Sequence, residues 1–592
     1  MNNLHLHNFH IPVLGLGFTI DTPLKVARFG ISSVMSIVED ELVEKMREIH
    51  SANAGIKFIA IPKETEDYRA KRITAYLDLV DAIVKKQIND LKNLPFQKGN
   101  DLATYFDLLP DGSPVKQDYR EVMDMADGAE KTHRQQVLRA GTQAGAADVN
   151  IMCKVNKQNY AKDGTLLPKQ YNDALAALRG FANSTLNSSV VLSAGYNPEL
   201  YAYAAELPCF FPDLNGKQLK KIILKVSDFR SARTQGKILA KKGIWVSEFR
   251  VESGLNCGGH AFATDGLLLG PIMEEFRVNI HTLEDELLAM VNDVLTKTER
   301  PTYTVSPGIR LSVQGGIGTA NEHAFLLRHY GAESAGWGSP FLLVPDATNV
   351  EWETVKQLST ASKDDYFLSD ASPLGVPFHN FRKSSSEQQR LERIAKGRPG
   401  SPCYKEHLVS DTTFTDKPIC TASRKYQHLM IQQLEQQQME KDERERALKA
   451  ITDKDCLCEG LGASAILKNG AQPAHKLTAV AVCPGPNLAF FSGIFTLKQM
   501  IDHIYGRTNL LNTTKRPSLF INELDLYIEY LKKEIKNQQA VVIKTATSKK
   551  HLQTFQANLL NGIAYYRNLM PKLTIETSNY IDRLEKDLTE RE

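Results

Sequence analysis

The sequence predicts an α/β fold, a (β/α)8 TIM barrel with a long helical insertion and a Cys-containing, largely helical C-terminal extension. Three observations carry that reading. Short apolar strands alternate with helices over about 340 residues, more units than a single dinucleotide-binding fold uses. A strand, a helix and a second strand fit within residues 10–38, which makes a βαβ unit and a parallel sheet. Two late strands run directly into glycine-rich turns, where barrels of this kind hold phosphate.

The elements follow in order. His10–Gly17 is an apolar run ending in glycines, as in a buried strand feeding a tight loop. Thr22-Pro23 supplies an N-cap and a first-turn proline for the helix Leu24–Phe29. Ile31–Val38 reads as the next buried strand. From about 39 to 187 the texture is helical and polar, with Arg72–Leu94 and Ala129–Ala147 as helices, and is read as an insertion. Alternation then returns. Strands are expected at Ser189–Leu192, Lys221–Val226, Ile244–Val251, Arg310–Val313 and Ser334–Gly336. Helices are expected at Pro198–Leu207, Ala232–Lys242 and Ala320–Tyr330. The barrel thus spans 1–350. An irregular Cys-rich region spans 351–495, with one polar helix at Gln427–Ala450. A helical region spans 496–592, with amphipathic stretches at Leu519–Asn537 and Leu552–Met570.

Composition narrows the function. Of 592 residues, 42% are hydrophobic and 24% charged, the balance of a globular chain rather than a disordered or fibrous one. Lys and Arg number 72 against 69 Asp and Glu, a net charge of +3. So small an excess does not drive nucleic-acid or membrane binding, so nucleic acid is not an expected partner. No run reaches the ~18 apolar residues of a membrane span, and Met1–His5 does not open a signal peptide. The expectation is a cytoplasmic enzyme acting on a small molecule, with a homo-oligomer left open.

The glycine motifs carry the chemistry. Ile309–Thr319 contains Gln314-Gly315-Gly316-Ile317-Gly318 between a strand and a helix. Glycines there let backbone N–H groups approach an anion, and the helix start adds partial positive charge. Gly336-Trp337-Gly338-Ser339 ends the next strand. Glu252-Ser253-Gly254-Leu255-Asn256-Cys257-Gly258-Gly259-His260 follows the strand Ile244–Val251, which puts His260 on a loop of the same face.

The ordered set resembles the FMN-dependent TIM barrels of the nitronate monooxygenase (2-nitropropane dioxygenase-like) family, with further similarity to glutamate-synthase-type flavin barrels. Gly258, Gly259 and His260 match that family's Gly-Gly-His loop. Gly315, Gly316 and Ile317 match its phosphate loop, and Gly338, Ser339 and Phe341 its second phosphate element. The likeness covers residues 8–60 and 189–345; Gln314 and Asn256-Cys257 depart from the pattern. It implies FMN as cofactor, with Gly15 and Gly17 under the ring and phosphate held near Gly315, Gly316, Gly336, Gly338 and Ser339. Lys225, at a strand end, is the candidate cation beside the flavin; a salt-bridged strand-end lysine is the competing reading. His260 is the candidate base for a carbon-bound proton.

Five cysteines, Cys403, Cys420, Cys456, Cys458 and Cys483, fall within some eighty residues, mostly near Pro or Gly. An iron–sulfur cluster or a zinc site fits that density, although the spacing matches no standard motif. Buried thiols or a redox pair remain open. Cys257 is a separate candidate for a reactive thiol.

The leading expectation is an FMN-dependent oxidoreductase or monooxygenase of nitronate-monooxygenase type acting on a small organic substrate. The alternatives are a non-redox barrel lyase or isomerase on a phosphorylated substrate, and a flavin-dependent RNA-modifying enzyme, for which Lys85-Lys86 and Arg134–Arg139 are the basic stretches.

Overall fold

A computed structural model describes residues 6–193, 195–256, 265–539 and 546–569. The barrel opens with β1 (Phe9–Ile11), α1 (Thr22–Val26) and β2 (Ser32–Ser36). Five helices follow: α2 (Asp40–Asn53), α3 (Tyr68–Lys92), α4 (Asp101–Leu108), α5 (Pro114–Asp124) and α6 (Ala129–Gly141). Then come β3 (Ala147–Met152), α7 (Asp173–Asn183), β4 (Ser189–Ser193), α8 (Pro198–Ala204) and β5 (Lys221–Val226). The circuit ends with α9 (Phe229–Ala240), β6 (Val246–Glu252), α10 (Leu269–Lys297), β7 (Arg310–Gln314), α11 (Ala320–Tyr330) and β8 (Ser334–Gly336). All eight strands are parallel, neighbours pair in chain order, and β8 closes on β1 through His10↔Gly336.

The stretch 39–187, expected as an insertion, is corrected in part. Ala147–Met152 is the third barrel strand, in register with β2 and β4. Its sequence, Ala-Asp-Val-Asn-Ile-Met, hides it, because polar Asp148 and Asn150 alternate with apolar residues. The same alternation explains the barrel interior. On β6 Glu248, Arg250 and Glu252 share one face, while Phe249, on the other, meets Phe276 of α10 at 6.1 Å between ring centroids. The charged face therefore points into the barrel. Branched aliphatics usually fill this space; here Val34, Val191 and Ile223, with Val13 against them, form a small apolar cluster inside a polar one. Glu248 lies 2.7 Å from Arg250 and 3.4 Å from Arg310, and accepts from Ser312 Oγ at 2.5 Å. Burial alone would raise the Glu248 carboxyl, but the two guanidinium groups outweigh it and hold it at about 2.

Beyond the barrel come α12 (Trp352–Ser359), then the antiparallel pair β9 (Tyr366–Ser369) and β10 (Phe378–Phe381), then α13 (Ser385–Ala395). The single helix expected at Gln427–Ala450 is two, α14 (Arg424–Glu435) and α15 (Lys441–Thr452). So polar a stretch has little apolar surface to keep one straight rod packed, and two shorter helices meet instead. Last are α16 (Leu457–Lys468), α17 (Leu497–Ile504), α18 (Leu519–Gln539) and α19 (Ala546–Leu569). One hydrophobic core runs from Phe9 to Leu569, so barrel and extension are packed as one body. Among the described residues no helix is long and apolar enough to cross a membrane.

A buried ionic seam fixes the extension on the barrel rim. Asp40, just after β2, pairs with Arg69 at 3.1 Å and Arg72 at 2.8 Å. Arg69 also reaches Asp173, at the start of α7, whose other oxygen lies 3.1 Å from His407. His407 faces Glu39 at 3.7 Å, and Glu39 takes Lys405 at 3.3 Å. Burial would discharge His407; Asp173 and Glu39 outweigh it and raise its pKa.

Replacing Glu248 by Ala strands Arg250 and Arg310 without their shared carboxylate. Denaturant unfolding should then show a loss of about 3–5 kcal/mol. A loss below about 1 kcal/mol would mean that solvent reaches these charges.

Candidate active site

The C-terminal ends of β5, β6 and β7 bring four polar side chains together. Lys225 Nζ lies 2.8 Å from Glu252 Oε1. The same oxygen accepts from Gln314 Nε2 at 3.3 Å and from the Asn256 amide, and Gln314 Nε2 also reaches Asn256 Oδ1 at 3.1 Å. Register explains the convergence, since Glu252 pairs with Gln314 and Gln314 with Gly336. Gly336 is required there: a Cβ would sit 2.6 Å from Gln314 Cβ and 2.9 Å from His10 Nε2. Gln314 Oε1 and His10 Nε2 are buried in this region, where the His10 ring and the Gln314 side chain face each other. Burial pushes His10 well below the ordinary imidazole range, so it is neutral.

Lys225 is a salt-bridged strand-end lysine, and it stands at the mouth. Glu252, Asn256 and Gln314 complete a set the glycine motifs did not identify. Their signal is the two-residue period of Glu248, Arg250 and Glu252 in an otherwise apolar strand, which marks an inward polar face.

The described glycines of the motifs lie on the loops after β1, β7 and β8, and the chain's own residues press on several. Gly315 and Gly316 follow β7 with φ of +107° and +73°, so both need glycine. A Cβ on Gly316 would meet Leu255 at 2.5 Å. Arg516 donates to Gly316 O at 2.6 Å, to Asn487 Oδ1 at 2.7 Å and to Glu322 Oε1 at 2.7 Å. Glu322 in turn accepts from Gly318 N at 2.9 Å, so a carboxylate already caps this turn. After β8, Gly338 leads to Ser339, whose Oγ accepts from Gly485 N at 2.9 Å. On the β1–α1 loop Gly17 N donates to Leu461 O at 3.1 Å, and the place of a Gly17 Cβ lies 3.1 Å from Ala465. Gly15, nearby, faces Phe18 and Leu461. Helix α16 thus covers the backbone at Gly17 that was expected under the flavin ring. Gly258, Gly259 and His260, with Cys257, lie outside the described residues.

One buried carboxylate flanks that segment on both sides. Glu523 of α18 accepts from Ser253 Oγ at 2.6 Å and Gly254 N at 3.2 Å, before it, and from Leu269 N at 2.6 Å, after it. Burial raises its pKa to about 7 against these hydrogen bonds. Only the tertiary fold reveals it, because Glu523 sits more than 250 positions from its partners.

A cavity of about 1080 Å³ lies at the opposite end, lined by strand starts such as Ser32, Asp148, Lys221 and Arg310. Chemistry and volume disagree here. Barrels of this class react at the C-terminal face, where Lys225, Glu252, Asn256 and Gln314 converge, so the mouth is the candidate site. Among the described residues no three Cys, His, Asp or Glu side chains are grouped to hold a metal ion. Of the five cysteines expected as ligands, Cys403 contacts Cys420 and Cys456 contacts Cys458, all as free thiols; Cys483 is fully buried in the same core.

No family model matches the chain, and no curated protein does. A solved structure that resembles it is the enoyl reductase domain of MlnA from the macrolactin biosynthesis cluster of Bacillus amyloliquefaciens. The two share 14% identity with a TM-score of 0.30, over 77% of this chain and 88% of that one. At that score the likeness carries no argument, and the fold rests on the strand pairing above.

Glu523 gives the site a pH dependence with a definite sign. Its carboxyl titrates near 7 when folded against 4.5 when unfolded, so folding favours the protonated form. The stabilisation is complete below about 4.5 and is lost as pH rises to about 7. Urea unfolding across that window should show wild type losing up to about 3 kcal/mol relative to Glu523→Gln. Parallel pH profiles for the two proteins would show that Glu523 is not raised.

Proposed function

We propose that this chain is a flavin-dependent oxidoreductase of nitronate-monooxygenase type that holds FMN at the barrel mouth and acts on a small organic substrate. The observation that carries the reading is the buried set Lys225, Glu252, Asn256 and Gln314 at the C-terminal end of a closed eight-stranded barrel. The amides of Gln314 and Asn256 suit a ligand rich in ring nitrogens and carbonyls. The left-handed turn at Gly315 and Gly316 suits close approach of an anion, while Glu322 beside it is offset by Arg516.

In this reading Gly316, Gly338 and Ser339 would hold the phosphate through main-chain N–H groups. Bound there, FMN would supply a two-electron acceptor for substrate oxidation. Lys225 would hold the negative charge that builds on the reduced ring, and the ion pair with Glu252 keeps its ammonium aimed. Gln314 and Asn256 orient Glu252 through their amides. His260 keeps the role the resemblance implies, taking a proton from substrate carbon.

An absorption spectrum of the purified protein tests the reading. The expected result is a flavin spectrum, with FMN released on denaturation. Lys225→Met should retain the flavin and slow its reduction by the 2-nitropropane anion by about 10²-fold. A colourless protein that also fails to take up added FMN would overturn the proposal and favour a non-redox barrel chemistry.

A further inference from the structure

The connection from β6 to α10 is gripped at both ends by the extension. At the β6 end Gly254 is held from three sides. Its N–H donates to Glu523 Oε1 at 3.2 Å, and its carbonyl accepts from His379 Nε2 at 3.0 Å. The Tyr527 ring lies against its α-carbon, where a Cβ would meet it at 2.6 Å. At the α10 end Leu269 N donates to Glu523 Oε2 at 2.6 Å, Gly270 N to the Tyr566 hydroxyl at 3.2 Å, and Asn558 Nδ2 to Asp265 O at 2.8 Å. His379 belongs to β10, Glu523 and Tyr527 to α18, and Asn558 and Tyr566 to α19. Glu523 bonds both ends.

Packing does not call for a carboxyl at this position. The neighbouring side chains of α18, Phe520, Ile521, Leu524 and Tyr527, are buried, and Glu523 is 1% exposed among them. A leucine would pack there without the cost of desolvating a carboxyl group. What the carboxyl adds is acceptors: its two oxygens take the Ser253 hydroxyl and two amide N–H groups.

The turn that it holds is the one that builds the mouth. Ser253 directly follows Glu252, and Ser253 N donates to Gln314 O at 3.0 Å. Asn256 N donates to Ser253 O at 3.1 Å, and the Asn256 amide reaches Glu252 Oε1, the oxygen that faces Lys225. The same turn walls the glycines after β7. A Cβ on Gly315 would meet Asn256 N at 3.0 Å and Ser253 Cβ at 3.1 Å. A displaced Ser253 therefore disturbs Glu252 and Asn256 on one side and the wall of Gly315 and Gly316 on the other.

We propose that Glu523 is a positioning residue of the mouth: from the extension it seats the Ser253–Asn256 turn, and through that turn it aims Glu252 at Lys225. Its effect on flavin reduction rests on the flavin reading of the mouth, whereas the seating of the turn does not.

Two readouts on the full chain test this. Amide hydrogen exchange on peptides spanning 252–256 and 314–318 needs no flavin. Glu523→Leu should speed exchange in both by about 10-fold, while peptides from β2 and β3 keep the wild-type rate. Exchange that is unchanged, that changes within α18 alone, or that rises equally throughout the chain would overturn the proposal. The second readout is reduction of the bound flavin by the 2-nitropropane anion. Glu523→Leu should lower kcat by about 10²-fold, with KM within about twofold of wild type. Glu523→Gln keeps one oxygen, which serves the two donors of the turn in preference to the one of Leu269, so it should recover most of that rate. Ser253→Ala leaves α18 untouched and should move both readouts in the same direction, even where Glu523→Leu does not fold. The pair Ser253→Ala with Glu523→Leu should lose no more than Glu523→Leu alone. A loss confined to KM, or losses that multiply in the pair, would reduce Glu523 to a support of the fold. Protein that shows the exchange pattern but takes up no FMN would sink the flavin reading and leave the role of Glu523 standing.

Discussion

The ionic seam on the barrel rim is the constraint on which the remaining geometry depends. Asp40, Arg69, Arg72, Asp173, His407, Glu39 and Lys405 are buried together, and each charge is tolerable only while its partners are present. The acids come from the ends of β2 and the start of α7, both fixed by the barrel. His407 and Lys405 come from the extension. The seam therefore acts less as a source of net stability than as a registration device. A shift of the 400–408 loop by one residue would bury Glu39 and Asp173 unpaired, at a cost of several kcal/mol. That loop also carries Cys403, so the position of one thiol pair is set by charges on the barrel.

The same logic runs through the barrel interior. Parallel strands buried on both faces are usually continuous apolar runs. Here the inner face alternates charged and polar groups, and among the described residues Val34, Val191 and Ile223, with Val13 against them, fill it conventionally. A polar interior specifies register strictly, because a one-residue slip of β6 would drive Glu248, Arg250 and Glu252 against Phe276 and its neighbours. The arrangement that holds Glu252 at the top of the barrel is continuous with the arrangement that holds Glu248 lower down. Lys225 and Gln314 inherit their alignment from it.

This explains what was legible in the sequence. The strands at 221–226 and 310–314 and the glycine turns are local signals and stand where expected. The third strand was masked by Asp148 and Asn150, since inward polar residues imitate a solvent-facing pattern. The irregular Cys spacing has a similar origin. Cys403 and Cys420, seventeen positions apart, are brought together through the main chain of Ser401 and Ala422. Glu523 and Arg516 left no local trace at all. Each serves a barrel loop from more than 190 positions away, and only packing reveals them.

Glycine carries two opposite signals in this chain. A glycine before a helix lets a ligand approach, and it equally lets another part of the chain approach. At Gly17 the neighbour is α16, at Gly318 it is Arg516, and at Gly485 it is Ser339. The extension therefore presses on the loops that open barrels leave to solvent. With Gly17 covered by α16 and Ser339 bridged to Gly485, the extension closes on the β1 and β8 loops at the end of the barrel where Lys225 and Glu252 are paired, so the alignment of that pair and the seating of the extension are set by one packed body.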